Sequence, residues 1–154
     1  MKLTKNFSLS EFTKSNTASR RGLDNNPTAE HIHNLVGLCE HILQPLRDYI
    51  GCSIRISSGY RGKALNEAIG GSKTSDHCNG NAADIELLIN GEEDNARLYN
   101  AIKSLDLEFY QMIWEFGDDE QPNWIHIARR EGNNKKQCLK AYKDNNGKTK
   151  YATI

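Results

Sequence analysis

The sequence predicts an α+β chain, a small antiparallel sheet with flanking helices, on three observations. Apolar residues from Thr28 to Ile50 recur at three- and four-residue steps, the repeat of an amphipathic helix. The segments 53–58, 85–89, 112–116 and 124–128 are short and rich in β-branched or aromatic residues, as strands are. The last two flank the polar loop Gly117 to Asn123, a spacing that predicts an antiparallel hairpin with a loop too long for a tight turn. At 154 residues the chain can bury one core without disulfides, so a single domain over 1–154 is expected.

Ser8 to Phe12 places a hydroxyl ahead of Glu11 and an apolar pair, predicting a short capped helix. Residues 13–27 carry little apolar periodicity and read as a long surface connection bordering the site. Within 28–50, Pro45 removes one backbone hydrogen bond and predicts a bend or division near Leu43. His31, His33 and His41 lie on this helix; residues two apart point to different faces, so they read as packing or surface histidines. Gly51 and Cys52 end the helix, and 53–58 forms a half-buried strand.

Residues 63–69 predict a short helix stopped by Gly70-Gly71. A strand follows at 85–89, then an Asn90-Gly91 turn, then a helix over 92–105 with Glu92, Glu93 and Asp94 at its positive end. In the tail, Asn146-Gly147 predicts a last hairpin between 138–142 and 149–152.

The 20 basic and 20 acidic residues cancel, so no summed field favours nucleic acid or an anionic membrane as partner. Cys39, Cys52, Cys78 and Cys138 are scattered without a CxxC pair, and reduced thiols are expected. No apolar run approaches a membrane span, and Met1 to Phe7 lacks the apolar region of a secretory signal. Synthesis in the cytoplasm without a signal peptide is the expectation. No partner subunit is implied, and a monomer is expected.

The chemistry gathers in Ser75 to Asp84. His77 offers an imidazole nitrogen and Asp84 a carboxylate oxygen, both ordinary zinc donors, and Gly80, Ala82 and Ala83 let the backbone fold tightly between them. Two donors do not hold zinc. Strand alternation sets His126 opposite Ile125 and Ile127, with Trp124 and Ala128, and makes it the natural third ligand. Three protein ligands leave a position open for water, the arrangement of a catalytic site. A carboxylate that is not a ligand must then move the proton. Glu115 is preferred, since its strand can bring it to the face that carries His126; Glu120 and Asp119 are its competitors. Cys78 beside His77 does not read as a nucleophile, because adjacent side chains point apart. Trp114, Trp124 and Tyr60 read either as cleft aromatics or as packing.

Ser57-Ser58-Gly59-Tyr60-Arg61, Leu65-Asn66, Gly71-Ser72, Ser75-Asp76-His77-x-x-Gly80-x-Ala82-x-Asp84 and Trp124-Ile125-His126 resemble the M15 metallopeptidases, the zinc D-Ala-D-Ala carboxypeptidase and phage endolysin group. The resemblance covers roughly residues 7–130 and leaves the tail uncovered. It implies a hedgehog/DD-peptidase-like fold whose antiparallel sheet carries Zn2+ through His77, Asp84 and His126. It implies a base shortly before the last zinc histidine; in several members this lies three residues before it, where this chain has Asn123. Arg61 matches the arginine of the Ser-Gly-Tyr-Arg motif and is expected near a developing oxyanion or a substrate carboxylate. Ser75, Asp76 and Tyr60 are expected to bind substrate, or Ser75 and Asp76 to orient His77.

The implied activity is hydrolysis of an amide bond in bacterial peptidoglycan stem peptides or cross-links, by carboxypeptidase or endopeptidase action at the cell wall. The size resembles phage lysis enzymes. Two alternatives remain: a non-catalytic zinc-binding module, as in the signalling domains of hedgehog proteins, and a phage structural component using the same fold.

Overall fold

The long apolar period does become one unbroken helical run, but not a uniform one. The computed structural model describes residues 1–154 and has α1 (Leu9–Thr13), α2 (Asn16–Arg21), α3 (Ala29–Leu38), a π-helical turn (Cys39–Leu43) and α4 (Gln44–Ile50). Pro45 explains the turn. It has no N–H to give and its ring crowds the carbonyl four residues back, so the helix widens just before it, and the Gln44 N–H reaches back to the Cys39 carbonyl. The predicted bend near Leu43 is thus absorbed without a break.

The capped helix at the N-terminus forms as read, with Ser8 and Glu11 in a capping box. The expected loop at 13–27 contains α2 instead, capped by Ser15 and stopped by Gly22 at φ 64°. Both signals stood in the sequence; six residues with Ala18 as their one apolar member showed no apolar period to frame them. Strand β1 (Arg55–Ser58) leads to α5 (Lys63–Ala68), and a 3₁₀ turn at Asp76–Asn79 precedes β2 (Ala82–Glu86). Next come β3 (Leu88–Ile89), β4 (Glu92–Glu93) and α6 (Asn95–Ser104). Asn90-Gly91 turns a tight hairpin between β3 and β4, both with positive φ. Glu92 and Glu93 therefore lie in that hairpin, not in the helix.

The remaining strands are β5 (Gln111–Glu115), β6 (Trp124–Ala128), β7 (Gln137–Lys143) and β8 (Thr149–Thr153). They join β1 and β2 in a six-stranded sheet of order β1-β2-β6-β5-β7-β8. The expectation of a small, purely antiparallel sheet is corrected here: β5 and β7 are parallel. The reason is topological. β2 and β5 already flank β6, and the link 129–136 returns the chain to the end where β5 begins, with the Gln137 N–H on the Tyr110 carbonyl. The tail hairpin β7–β8 forms as predicted and extends the sheet.

The two faces of the sheet have different fates. Ala83, Ile85, Met112, Ile125 and Ile127 are fully buried and join Leu35, Leu38, Ile42, Leu46 and Ile102 of the helices in one core. The opposite face carries the groove, rimmed by Gly70, Gly71, Ser72 and Ser75 of the segment that follows α5.

Candidate metal centre

Strand register lays two rows of side chains across the open face. Cross-strand pairing aligns Ser58, Asp84, His126, Ile113 and Leu139, and paired residues point to the same side. Two residues along, Trp124, Glu115, Ala141 and Tyr151 form a second row. All of these but Ala141 line a groove of about 690 Å³, and His77 enters it from the 3₁₀ turn above β2. Gly80 makes that turn possible: its φ is +75°, and a Cβ there would lie 2.4 Å from the His31 carbonyl oxygen.

His77, Asp84 and His126 bring one ligand atom each within 4.8 Å of one another. Asp84 Oδ1 lies 3.3 Å from His77 Nε2 and 3.2 Å from His126 Nδ1. A tetrahedral zinc with bonds of about 2.0–2.1 Å holds its donors about 3.3 Å apart, so both separations from Asp84 match what that ion requires. His77 sharpens the fit. Its Nδ1 donates to the Gly59 carbonyl at 2.7 Å, which leaves the Nε2 lone pair facing a carboxylate oxygen. Two acceptors in that position call for a cation between them.

The electrostatics agree. Burial lowers the His77 pKa and keeps the ring neutral, although Asp84 opposes the shift. Burial raises the Asp84 pKa, but the two imidazoles outweigh it and hold the carboxyl well below the ordinary carboxylate range. A neutral imidazole beside an ionised carboxylate is the ligand state a divalent metal needs.

Glu115 is built differently. It is 9% exposed, no hydrogen bond from the protein reaches its carboxyl group, and its pKa is raised from 4.5 to about 7. Burial is the main cause, reinforced by Asp84 and offset by His126 and Arg61. Arg61 lines the same groove with a buried Nε that has no partner, and burial lowers its pKa.

The competitors of Glu115 lie elsewhere. Asp119 pairs with Lys140 and, with the exposed Glu120, borders a separate cleft beside Tyr99 and Trp114. Asn123 is exposed, and its backbone N–H donates to the Glu115 carbonyl. Ser75 caps the 3₁₀ turn through the His77 N–H, at 3.2 Å. Asp76 is engaged by Arg130, whose Nε and Nη2 donate to its two oxygens at 2.9 and 3.2 Å. Tyr60 is buried against His31 and does not line the metal groove. Of the three aromatics only Trp124 does, since Trp114 points to the core face and stacks edge-on with Tyr99. His33 meets Glu131 at the surface, His31 caps α3, and all four cysteines are free.

Comparison with protein families gives a match to the Peptidase M15 model over residues 5–128. The chain is an M15 family peptidase. M15 peptidases are zinc enzymes, and His77, Asp84 and His126 all fall inside the matched span. No curated protein matches the chain. The M15 span also holds Gly59 of the Ser-Gly-Tyr-Arg motif, whose carbonyl fixes the His77 tautomer, a role that the motif alone does not announce. A Cβ on Gly59 would lie 2.6 Å from the Phe12 backbone, so the glycine also lets α1 dock closely. Asn95 was missed as well. Fully buried, it accepts from the Leu87 N–H and donates to the Pro122 and Asn123 carbonyls, pinning the loop between β5 and β6. Arg130, Leu139 and Tyr151 line the groove from beyond the matched residues; no local motif marks them, because long-range pairing brings them there.

Proposed function

We propose that this M15 peptidase hydrolyses an amide bond in bacterial peptidoglycan stem peptides or cross-links, with His77, Asp84 and His126 holding zinc. The observation that carries the reading is Glu115: a buried carboxyl with a pKa near 7 in the same groove as the three donors. Zinc, when bound, supplies a Lewis acid and lowers the pKa of water.

The remaining work falls to this chain's own side chains. Asp84 stays ionised between the two imidazoles, and the three side chains orient their donor atoms, with the Gly59 carbonyl holding the His77 ring. A group with a pKa near the working pH can both take and return a proton. The Glu115 carboxylate takes a proton from the attacking water and returns it to the leaving nitrogen. The Arg61 guanidinium, which lines the same groove, places a positive charge near the charge that develops on the scissile carbonyl oxygen. Trp124 and Leu139 supply apolar floor on either side.

Purified cell walls incubated with the zinc-loaded protein, followed by mass spectrometry of the released fragments, test this reading. The expected result is new amine and carboxyl ends at one peptide bond, lost on chelation and restored by zinc. Stoichiometric zinc with no cleavage of any wall peptide would instead assign the chain as a zinc-binding module.

A further inference from the structure

Beyond the matched residues, the β7–β8 hairpin adds a second half to the groove. Tyr151 stands in the row Trp124, Glu115, Ala141, Tyr151. Ala141, between Glu115 and Tyr151, is fully buried and ends at its methyl group, so nothing on that strand separates the tyrosine ring from the glutamate. The ring lines the groove yet is 55% exposed. No group in the protein is hydrogen-bonded to its hydroxyl, and burial together with the charge of Glu115 raises its pKa. The hydroxyl therefore remains a donor at neutral pH. Tyr142, on the neighbouring strand, points to the opposite face and lines none of this groove.

An extended peptide lying in the groove presents a carbonyl at every residue. Between the edge strands β1 and β8 the backbone donors of the floor are already used in strand pairing, so over that stretch side chains must supply the donors. Arg61 is one, on the far side of the metal row. We propose that Tyr151 is the other: a substrate-contacting residue that walls the Glu115 end of the groove and donates its phenolic O–H to a backbone carbonyl of the bound peptide. This rests on the peptidase reading above. It makes the hairpin a specificity element of the site.

Steady-state kinetics of zinc-loaded wild type, Tyr151→Phe, Tyr151→Ala and the control Tyr142→Phe on a soluble muropeptide test the assignment. Loss of one hydrogen bond made equally in ground and transition states raises KM about fivefold for Tyr151→Phe with kcat within about twofold. Tyr151→Ala exceeds that by losing the ring contact, and Tyr142→Phe matches wild type. Zinc content is unchanged throughout. A Tyr151→Phe KM equal to that of wild type overturns the proposal while leaving the peptidase reading intact, and so does a fall in kcat alone. A wild type that cleaves no muropeptide sinks the peptidase reading and this inference with it. Tyr151→Phe keeps the ring, so the test stands even where Tyr151→Ala fails to fold.

Discussion

Asp84 and Glu115 are carboxylates in one groove, set in neighbouring rows of the same sheet face, and their surroundings drive them in opposite directions. Asp84 is held between two imidazoles and stays ionised. Glu115 is as buried as His126 but has no hydrogen-bonding partner, and its pKa climbs to about 7. The contrast extends to the residues around each carboxylate. His77 is pinned by the Gly59 carbonyl and its loop by the Asp76–Arg130 pair, whereas Tyr151 beside Glu115 is half exposed. One row keeps a fixed protonation state and geometry; in the function proposed above, the other exchanges protons and meets substrate. Low dielectric serves both ends, because it strengthens a satisfied polar contact and destabilises a charge left alone.

Removing a donor from the fixed row has the largest expected effect. His126→Ala and Asp84→Asn should lose stoichiometric zinc, measured by atomic absorption, and reduce wall hydrolysis to background. Loosening the row from behind is milder. Arg130→Ala leaves the buried Asp76 without its bidentate partner and lets the His77 loop move; zinc affinity should fall about tenfold, read by competition with a chromogenic chelator.

The exchanging row should show itself in stability before catalysis is measured at all. A carboxyl whose folded pKa is raised contributes stability that is fully present below its unfolded pKa and lost as pH rises through the folded one. In zinc-free protein, Glu115 moves from 4.5 to about 7. Between pH 4.5 and 7 wild type should therefore lose up to about 3 kcal/mol relative to Glu115→Gln, measured by urea unfolding of both proteins across that range. Parallel curves would show that the carboxyl titrates normally. The smallest effect belongs to residues outside both rows. Asp119→Asn, Glu120→Gln and Asn123→Ala should each hydrolyse walls within about twofold of wild type, and a large loss in any of them would move the base out of β5.

Much of the fixed row was legible because its members sit inside short local motifs. Ser75 to Asp84 carries two donors and the glycine that turns the chain between them, and strand alternation alone set His126 apart from its isoleucine neighbours. Glu115 was legible by the same alternation, although its high pKa was not, since that depends on which charges long-range pairing brings near. What escaped was assembled across the sheet. The parallel pairing of β5 with β7, the clamp from Arg130 to Asp76 and the placement of Tyr151 all join residues far apart in the chain, where local propensity has nothing to say. Helix α2 escaped for the opposite reason: it is so short and polar that only its cap and its stop betray it.

The contrast between the two rows is tested most directly by measuring zinc content and wall hydrolysis on one preparation of Glu115→Gln. The account predicts one zinc per chain, as in wild type, with a hydrolysis rate lower by about 10²- to 10⁴-fold. Zinc retained with an undiminished rate would contradict it, because the proton would then travel by another group.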